Sequence, residues 1–197
     1  MKFFSPLKRL ILNLKPQYEK ILIFEKKVRD FKEIKLDFEV DLLITRDLDS
    51  IQSLVGQREN WYYKWAKKRL EEGNYCFAAV KEGLIIGCIW TCIDKVYLPN
   101  VDYNLSVKKE VAPLLDGWTN PEFRRKGVYS FVMNSCLKYL NSETNYESVY
   151  FFIRPENSKS ISIHKKLPIV LYIRLIKLFP FRKHIVDSKN LKVEKFI

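Results

Sequence analysis

Residues 120–129, Asn-Pro-Glu-Phe-Arg-Arg-Lys-Gly-Val-Tyr, decide how this chain is read. Before them, Glu110–Thr119 is an apolar run that reads as a strand, although Pro113 weakens it. After them, Val128, Phe131, Val132, Cys136, Tyr139 and Leu140 recur at helical spacing, which predicts a helix over 127–141. A basic, glycine-containing turn therefore feeds a helix N-terminus. Backbone N–H groups and the positive end of the helix dipole converge there. Arg124, Arg125 and Lys126 add three cations, a set that suits a pyrophosphate. Gly127 lets the backbone approach such an anion closely. Basic turns before helices are common, so the turn alone names no ligand.

A second stretch follows downstream. Ser148–Ile153 is a continuous β-rich run and reads as a buried strand. Asn157 or Ser158 then caps a helix reaching about Lys166. The stretch is Asn-Ser-Lys-Ser-Ile-Ser-Ile-His-Lys-Lys-Leu, residues 157–167.

Together the two stretches resemble the motif segments of GNAT-type N-acetyltransferases. Residues 120–129 resemble the Arg/Gln-x-x-Gly-x-Gly/Ala segment of that superfamily. Asn157, Ser160, Lys166 and Leu167 fall at the offsets of its second segment. The resemblance spans residues 40–186 and implies an α/β (α+β) fold. That fold has a central mixed, mostly antiparallel sheet flanked by helices. Residues 1–39 would be an extra N-terminal segment and 40–197 the acetyltransferase domain.

The same resemblance implies acetyl-CoA as co-substrate and an amine acceptor, which is a small molecule, an amino sugar or a protein amine. Trp118 and Thr119 would offer backbone groups to the pantetheine arm. Arg124, Arg125, Lys126, Gly127, Val128 and Tyr129 would wrap the pyrophosphate. Asn157 and Ser160 would lie beside the cofactor. Direct transfer needs an amine that has lost its proton, so a carboxylate near the first motif is expected as base. Asp116 and Glu110 are the candidates; Asp116 lies two residues before Trp118, on the same strand face. The competing reading of Asp116 is a turn carboxylate. Many members place a Tyr seven residues after the motif Asn as the acid; this chain has His164 there. Imidazole donates near neutral pH, although a packed helix histidine is the competing reading.

The sequence also departs from the family pattern. Tyr129 stands where a second small residue is usual, and Pro168 where Gly normally ends the helix. A GNAT-like module that binds acyl-CoA without turnover is therefore the alternative function.

Elsewhere, Phe3, Phe4, Leu7, Leu10, Ile11 and Leu14 predict a short basic amphipathic helix. Ile34, Leu36, Phe38, Val40 and Leu42 alternate and predict a strand over 34–44. Residues 58–72 predict a helix with Trp61, Trp65 and Leu70 inward, stopped by Gly73. Tyr75–Lys81 and Leu84–Ile93 flank Glu82-Gly83, a hairpin signal. Residues 94–109 read as a loop, in which Tyr97 and Tyr103 are surface residues or line an acceptor pocket. One or two strands are expected within 169–197.

The four cysteines, Cys76, Cys88, Cys92 and Cys136, sit in apolar runs and read as buried thiols of a reducing compartment. None has zinc spacing, and with two histidines no metal site is expected. Net charge is +12, of which residues 1–15 carry +4 and residues 164–197 carry +7. Basic ends suit an anionic membrane surface or a solvated face. No helix-turn-helix or aromatic-basic motif points to nucleic acid. The absence of a leader or a long apolar span suggests a cytoplasmic protein, with peripheral membrane contact through its basic ends as an option. Monomer and homodimer are both open.

Overall fold

The computed structural model describes residues 17–92, 95–98, 103–178 and 183–189. The amphipathic helix expected within residues 1–15, and with it the membrane contact, lies outside the described residues. Element order is β1 (Gln17–Lys27), β2 (Asp41–Thr45), α1 (Gln52–Gly56), α2 (Trp61–Glu71), β3 (Tyr75–Lys81), β4 (Leu84–Thr91), β5 (Lys95–Leu98), β6 (Tyr103–Ser106), β7 (Val111–Thr119), α3 (Val128–Glu143), β8 (Ser148–Ile153), α4 (Ser158–His164), β9 (Ile169–Leu178) and β10 (Lys183–Lys189). The chain divides into two compact units.

The first unit comprises residues 26–96 and 106–151. Its strands β2, β3, β4 and β7 are successive antiparallel neighbours, and β8 joins β7 in parallel. The sheet is thus mixed and mostly antiparallel. β3 and β4 are apolar almost throughout because both of their faces are covered. On one face Ile51, Leu54, Tyr62, Ala66, Cys76, Ala78, Ile85, Cys88 and Trp90 form a core with α1 and α2. On the other, α3 buries Val128, Val132, Cys136, Leu137 and Leu140, and Tyr139 meets Phe77 at 5.4 Å between ring centres. Glu82 (φ 50°) and Gly83 (φ 77°) turn the β3–β4 hairpin in the left-handed conformation that its twist requires. After α2, the N–H of Gly73 donates to the Leu70 carbonyl and that of Asn74 to the Arg69 carbonyl, closing the helix.

Gly87 in β4 sets how closely α3 approaches the sheet. A Cβ there would stand 2.5 Å from Cγ1 of Val128 and 3.3 Å from the Trp118 carbonyl oxygen. Gly87→Ala is expected to destabilise the protein by about 1–3 kcal/mol through overpacking. Urea unfolding with an unchanged slope would measure it.

The second unit comprises residues 1–25, 97–105 and 152–197. In it β1 pairs antiparallel with β9, and β9 with β10. Ile21–Phe24 is wholly buried, as are Ile173 and Leu175. Glu19, also buried, is ion-paired with Arg154. Asn157 caps α4 by accepting the Ser160 N–H at 3.1 Å. Of the one or two strands expected after residue 168, two are present, β9 and β10.

Three expectations are corrected. The strand expected over 34–44 is regular only at Asp41–Thr45. Ile34, Leu36, Phe38 and Val40 do alternate in burial, but as an extended segment without a ladder. Its apolar side packs alongside the basic turn: Phe38 meets Phe123 at 5.9 Å, and Leu36 lies beside Gly127. The inward face of α2 is Tyr62, Trp65 and Ala66, while Trp61 is 53% exposed. Trp65 and Leu70 pack against the core as expected, and only Trp61 gives up its place, to Tyr62 one residue and about 100° further on. The segment 94–109 contains β5 and β6 and is not only loop. Among the described residues, no helix is long and apolar enough to cross a membrane.

Candidate active site

The site grows from the end of β7. Along β4, Cys88 pairs with Trp118 and Trp90 with Leu115, so β7 carries one extra residue between them. This bulge falls at Asp116–Gly117, with Asp116 at φ 48°. It breaks the simple alternation that would have set Asp116 and Trp118 on one face. On its other side β7 pairs with β8 only from Val111↔Ser148 to Leu114↔Phe151, and then runs on to Thr119.

The bulge turns the Asp116 carboxylate onto a ring of side chains from the preceding helices. Oδ2 accepts from the Tyr62 hydroxyl at 3.2 Å, and that hydroxyl accepts from Nε1 of the buried Trp90 at 3.1 Å. Oδ1 lies 3.4 Å from Nη2 of Arg58. The Arg58 guanidinium stands over the Tyr62 ring at 4.3 Å and the Trp118 ring at 5.5 Å. Burial pushes the Asp116 carboxyl above its ordinary range, against the opposing pull of Arg58, Arg69 and the Tyr62 hydroxyl. Such a carboxylate, half-sheltered and more basic than usual, is suited to accept a proton. Burial also raises the Tyr62 phenol, so it stays a neutral donor. Tyr62→Phe is expected to leave the Trp90 N–H buried and unpaired, at about 1–3 kcal/mol. It also removes a hydrogen bond that favours the ionised carboxylate, so the Asp116 titration moves to higher pH, visible by NMR of the side-chain carboxyl.

The basic turn follows directly. Asn120 ties it down: its N–H donates to the Ile86 carbonyl, its amide nitrogen to Oε1 of Gln57 at 2.7 Å, and its oxygen accepts from the Glu122 N–H. Arg124 Nε donates back to the Thr119 carbonyl at 3.3 Å, and Lys126 stands over Phe123 at 5.1 Å. Arg124, Arg125, Lys126 and Gly127 are all exposed. Arg125 (φ 63°) and Gly127 (φ 80°) are left-handed, which curls the chain into the start of α3. No side chain caps that helix. An uncapped N-terminus of a 16-residue helix, beside three cations and a Cβ-free Gly127, fits the diphosphate of CoA. Tyr129 lies against Gly117 of the bulge, where a Cβ would meet its Cε2 at 2.6 Å. In sequence the Tyr looked like an obstruction; its space comes from a glycine on β7.

The remaining candidates are placed as follows. Trp118 and Thr119 end β7 beside the turn. Val128 is buried under the turn and Tyr129 is half-buried. Glu110 is exposed, and its carbonyl accepts from the N–H groups of Glu147 and Ser148. Asn157, Ser160 and His164 belong to the second unit. There Asn157 caps α4, and Nδ1 of the buried His164 donates to the Ser160 carbonyl at 2.8 Å with its ring 6.0 Å from Phe24. The four cysteines are buried free thiols. Burial holds Cys136 and Cys92 protonated; a bond with Cys76, then burial, does so for Cys88. Sequence reasoning missed Arg58, Tyr62 and Arg69, whose only signal was their place within one helical stretch.

Residues 42–167 match the model of the "Acetyltransferase (GNAT) family". The chain is 27% identical over 107 residues to an uncharacterised N-acetyltransferase of Methanocaldococcus jannaschii, covering 54% of this chain and 43% of that protein. It is 24% identical over 116 residues to an N-alpha-acetyltransferase of Saccharolobus solfataricus, covering 55% and 65%. The chain thus spans less than two thirds of the length of these two relatives. In structure it is similar to a functionally unknown conserved protein from Staphylococcus epidermidis, with TM-score 0.58, 12% identity, and coverage of 97% of this chain and 69% of that one. It is also similar to a GCN5-related N-acetyltransferase from Kribbella flavida, with TM-score 0.54, 8% identity, and coverage of 86% and 63%. At these identities the two structures speak for the fold, which is the expected α/β arrangement.

Proposed function

We propose, for a chain that belongs to the acetyltransferase (GNAT) family, that it transfers an acetyl group from acetyl-CoA to an amine, with Asp116 as the general base. One observation carries this: a single strand, β7, presents a half-sheltered carboxylate of raised basicity at its bulge and leads at its end into an anion-ready turn. Bound acetyl-CoA supplies the thioester whose C–S bond breaks as the amine nitrogen forms the new C–N bond, the electron pair leaving with sulfur. Arg124–Gly127 and the α3 N-terminus hold the diphosphate. Asp116 takes the amine proton, and Tyr62 and Arg58 fix the carboxylate that receives it. Small amines, amino sugars and protein amines are the acceptor classes to compare.

The test is release of free thiol from acetyl-CoA by the purified chain against a panel of such amines, with product mass as the second readout. Thiol release that depends on an amine supports transfer. CoA binding without thiol release supports a non-catalytic acyl-CoA module, which Pro168 at the place of the usual helix-ending Gly favours.

A further inference from the structure

Asp116 stands between two arginines. Arg58, just before α2, touches its Oδ1 through Nη2. Arg69, on α2, also pulls on the carboxylate and lies over the rings of Trp65 at 3.4 Å and Trp90 at 5.6 Å. Each guanidinium has a buried Nη1 with no hydrogen-bond partner among the described residues. Tyr62 on α2, Cys88 on β4 and Cys92 just after β4 also face the cluster, and each is held neutral. Glu72 also acts on Arg69, but it is half-exposed and lies 3.8 Å from Lys68. Two partly buried cations therefore face one carboxylate.

A buried donor without a partner costs about 1–3 kcal/mol, and more when it is charged. Native proteins rarely leave one so, and an ordered water, an ion or a catalytic role is the kind of reason when they do. Arg69 is wedged between tryptophans of the core, where it acts as a fixed positive background. Arg58 differs. It contacts Asp116 and Trp118 at the open end of β7, and its side chain keeps 15% exposure. A small rotation of a long side chain is ordinary on binding, and it would bring the second arm of the fork toward whatever sits at Asp116.

We infer that Arg58 is a specificity-determining residue, whose guanidinium takes a carboxylate or carbonyl oxygen carried next to the acceptor's amine. The inference rests on Asp116 receiving the amine proton. The two Nη atoms share one carbon, so an oxygen on one and Asp116 on the other are near neighbours. An α-amino acid or a peptide N-terminus places its amine and its oxygen at such a separation. A bare amine leaves the second arm unpaired. The surplus positive charge favours the full carboxylate of the free amino acid over the peptide carbonyl.

The test compares ethylamine, alanine and an Ala-initiated tripeptide as acceptors for the full chain, wild type, Arg58→Met and Arg58→Lys. In wild type, kcat/KM for alanine or the peptide should exceed that for ethylamine by about 10–100-fold, the range for hydrogen bonds to charged groups. Arg58→Met should erase that ratio and Arg58→Lys restore part of it. Arg58→Met also moves the Asp116 titration, but this affects all acceptors alike and cancels in the ratio. Alanine ahead of the peptide identifies the carboxylate; the reverse identifies the peptide carbonyl. Equal use of ethylamine and alanine-type acceptors by wild type, or an unchanged ratio in Arg58→Met, overturns the inference. If no amine is acetylated, the transfer proposal fails and binding decides this one. Calorimetry with N-acetylalanine and N-ethylacetamide should show wild type preferring the first and Arg58→Met losing the preference. No preference, or no binding of either, overturns it.

Discussion

Asp116→Asn is expected to lower kcat/KM by between about 100- and 10,000-fold, the range for loss of a positioned general base. The deficit should be largest on the acid side of the acceptor's own pKa, where few amines are already neutral. In the wild type, activity should fall with acid as the carboxylate protonates. Because burial raises this group, that limb lies above the ordinary aspartate value of about 3.9. In Asp116→Asn it should be absent. The variant also separates chemistry from folding. A folded-state pKa above the unfolded one means that the stabilising contribution is complete below the unfolded pKa and is lost as pH rises through the folded pKa. Ionised Asp116 therefore costs stability near neutrality, and the amide should leave the thermal midpoint at pH 7 no lower than in wild type. CoA affinity should be unchanged. Full turnover across the pH range would exclude Asp116 as the base and turn attention to Glu110.

Gly127→Val should weaken CoA binding by about thirtyfold or more, some 2 kcal/mol. Gly127 sits at φ 80°, which a β-branched residue reaches only with strain of about 1–3 kcal/mol. Its Cβ would also stand 3.0 Å from Cδ2 of Leu36, a tight contact that the Leu36 side chain or the turn must relieve. The φ strain acts directly on the backbone donors at the start of α3. Gly127→Ala shares the φ penalty without the branched bulk and should fall between. Calorimetric titration of CoA, with circular dichroism as a check on folding, measures the series. A folded Gly127→Val with unchanged affinity would move the diphosphate site elsewhere.

Features written over a few consecutive residues were legible in the sequence. The Arg124–Gly127 turn and the helix after it depend on local composition and on one apolar stripe. The β3–β4 hairpin depends on Glu82-Gly83, and the α4 cap on Asn157. The alternation over residues 34–40 was equally visible, but its meaning was not. Alternation reports one covered side, and a covered extended segment and a paired strand look alike in sequence. Here the neighbours are Phe123 and Gly127 of the basic turn.

The surroundings of Asp116 were not legible, for a different reason. Arg58 and Tyr62 lie 58 and 54 residues from it in sequence. Their arrival depends on which face α2 turns to the sheet, and in an aromatic run a shift of one residue exchanges Trp61 for Tyr62. Packing decided it, because Tyr62 can bury its ring while its hydroxyl bridges Trp90 and Asp116, whereas Trp61 has only a donor to offer. The bulge at Asp116–Gly117 likewise leaves no mark in composition; it shows only when β7 is laid against β4. By itself, then, the sequence determined the family, the run of elements from β7 through α3 and β8 to α4, and the basic turn between β7 and α3, all carried by neighbouring residues. Only the tertiary structure decided the charge environment of Asp116, since buried electrostatics depends on distance in space and on which water has been excluded.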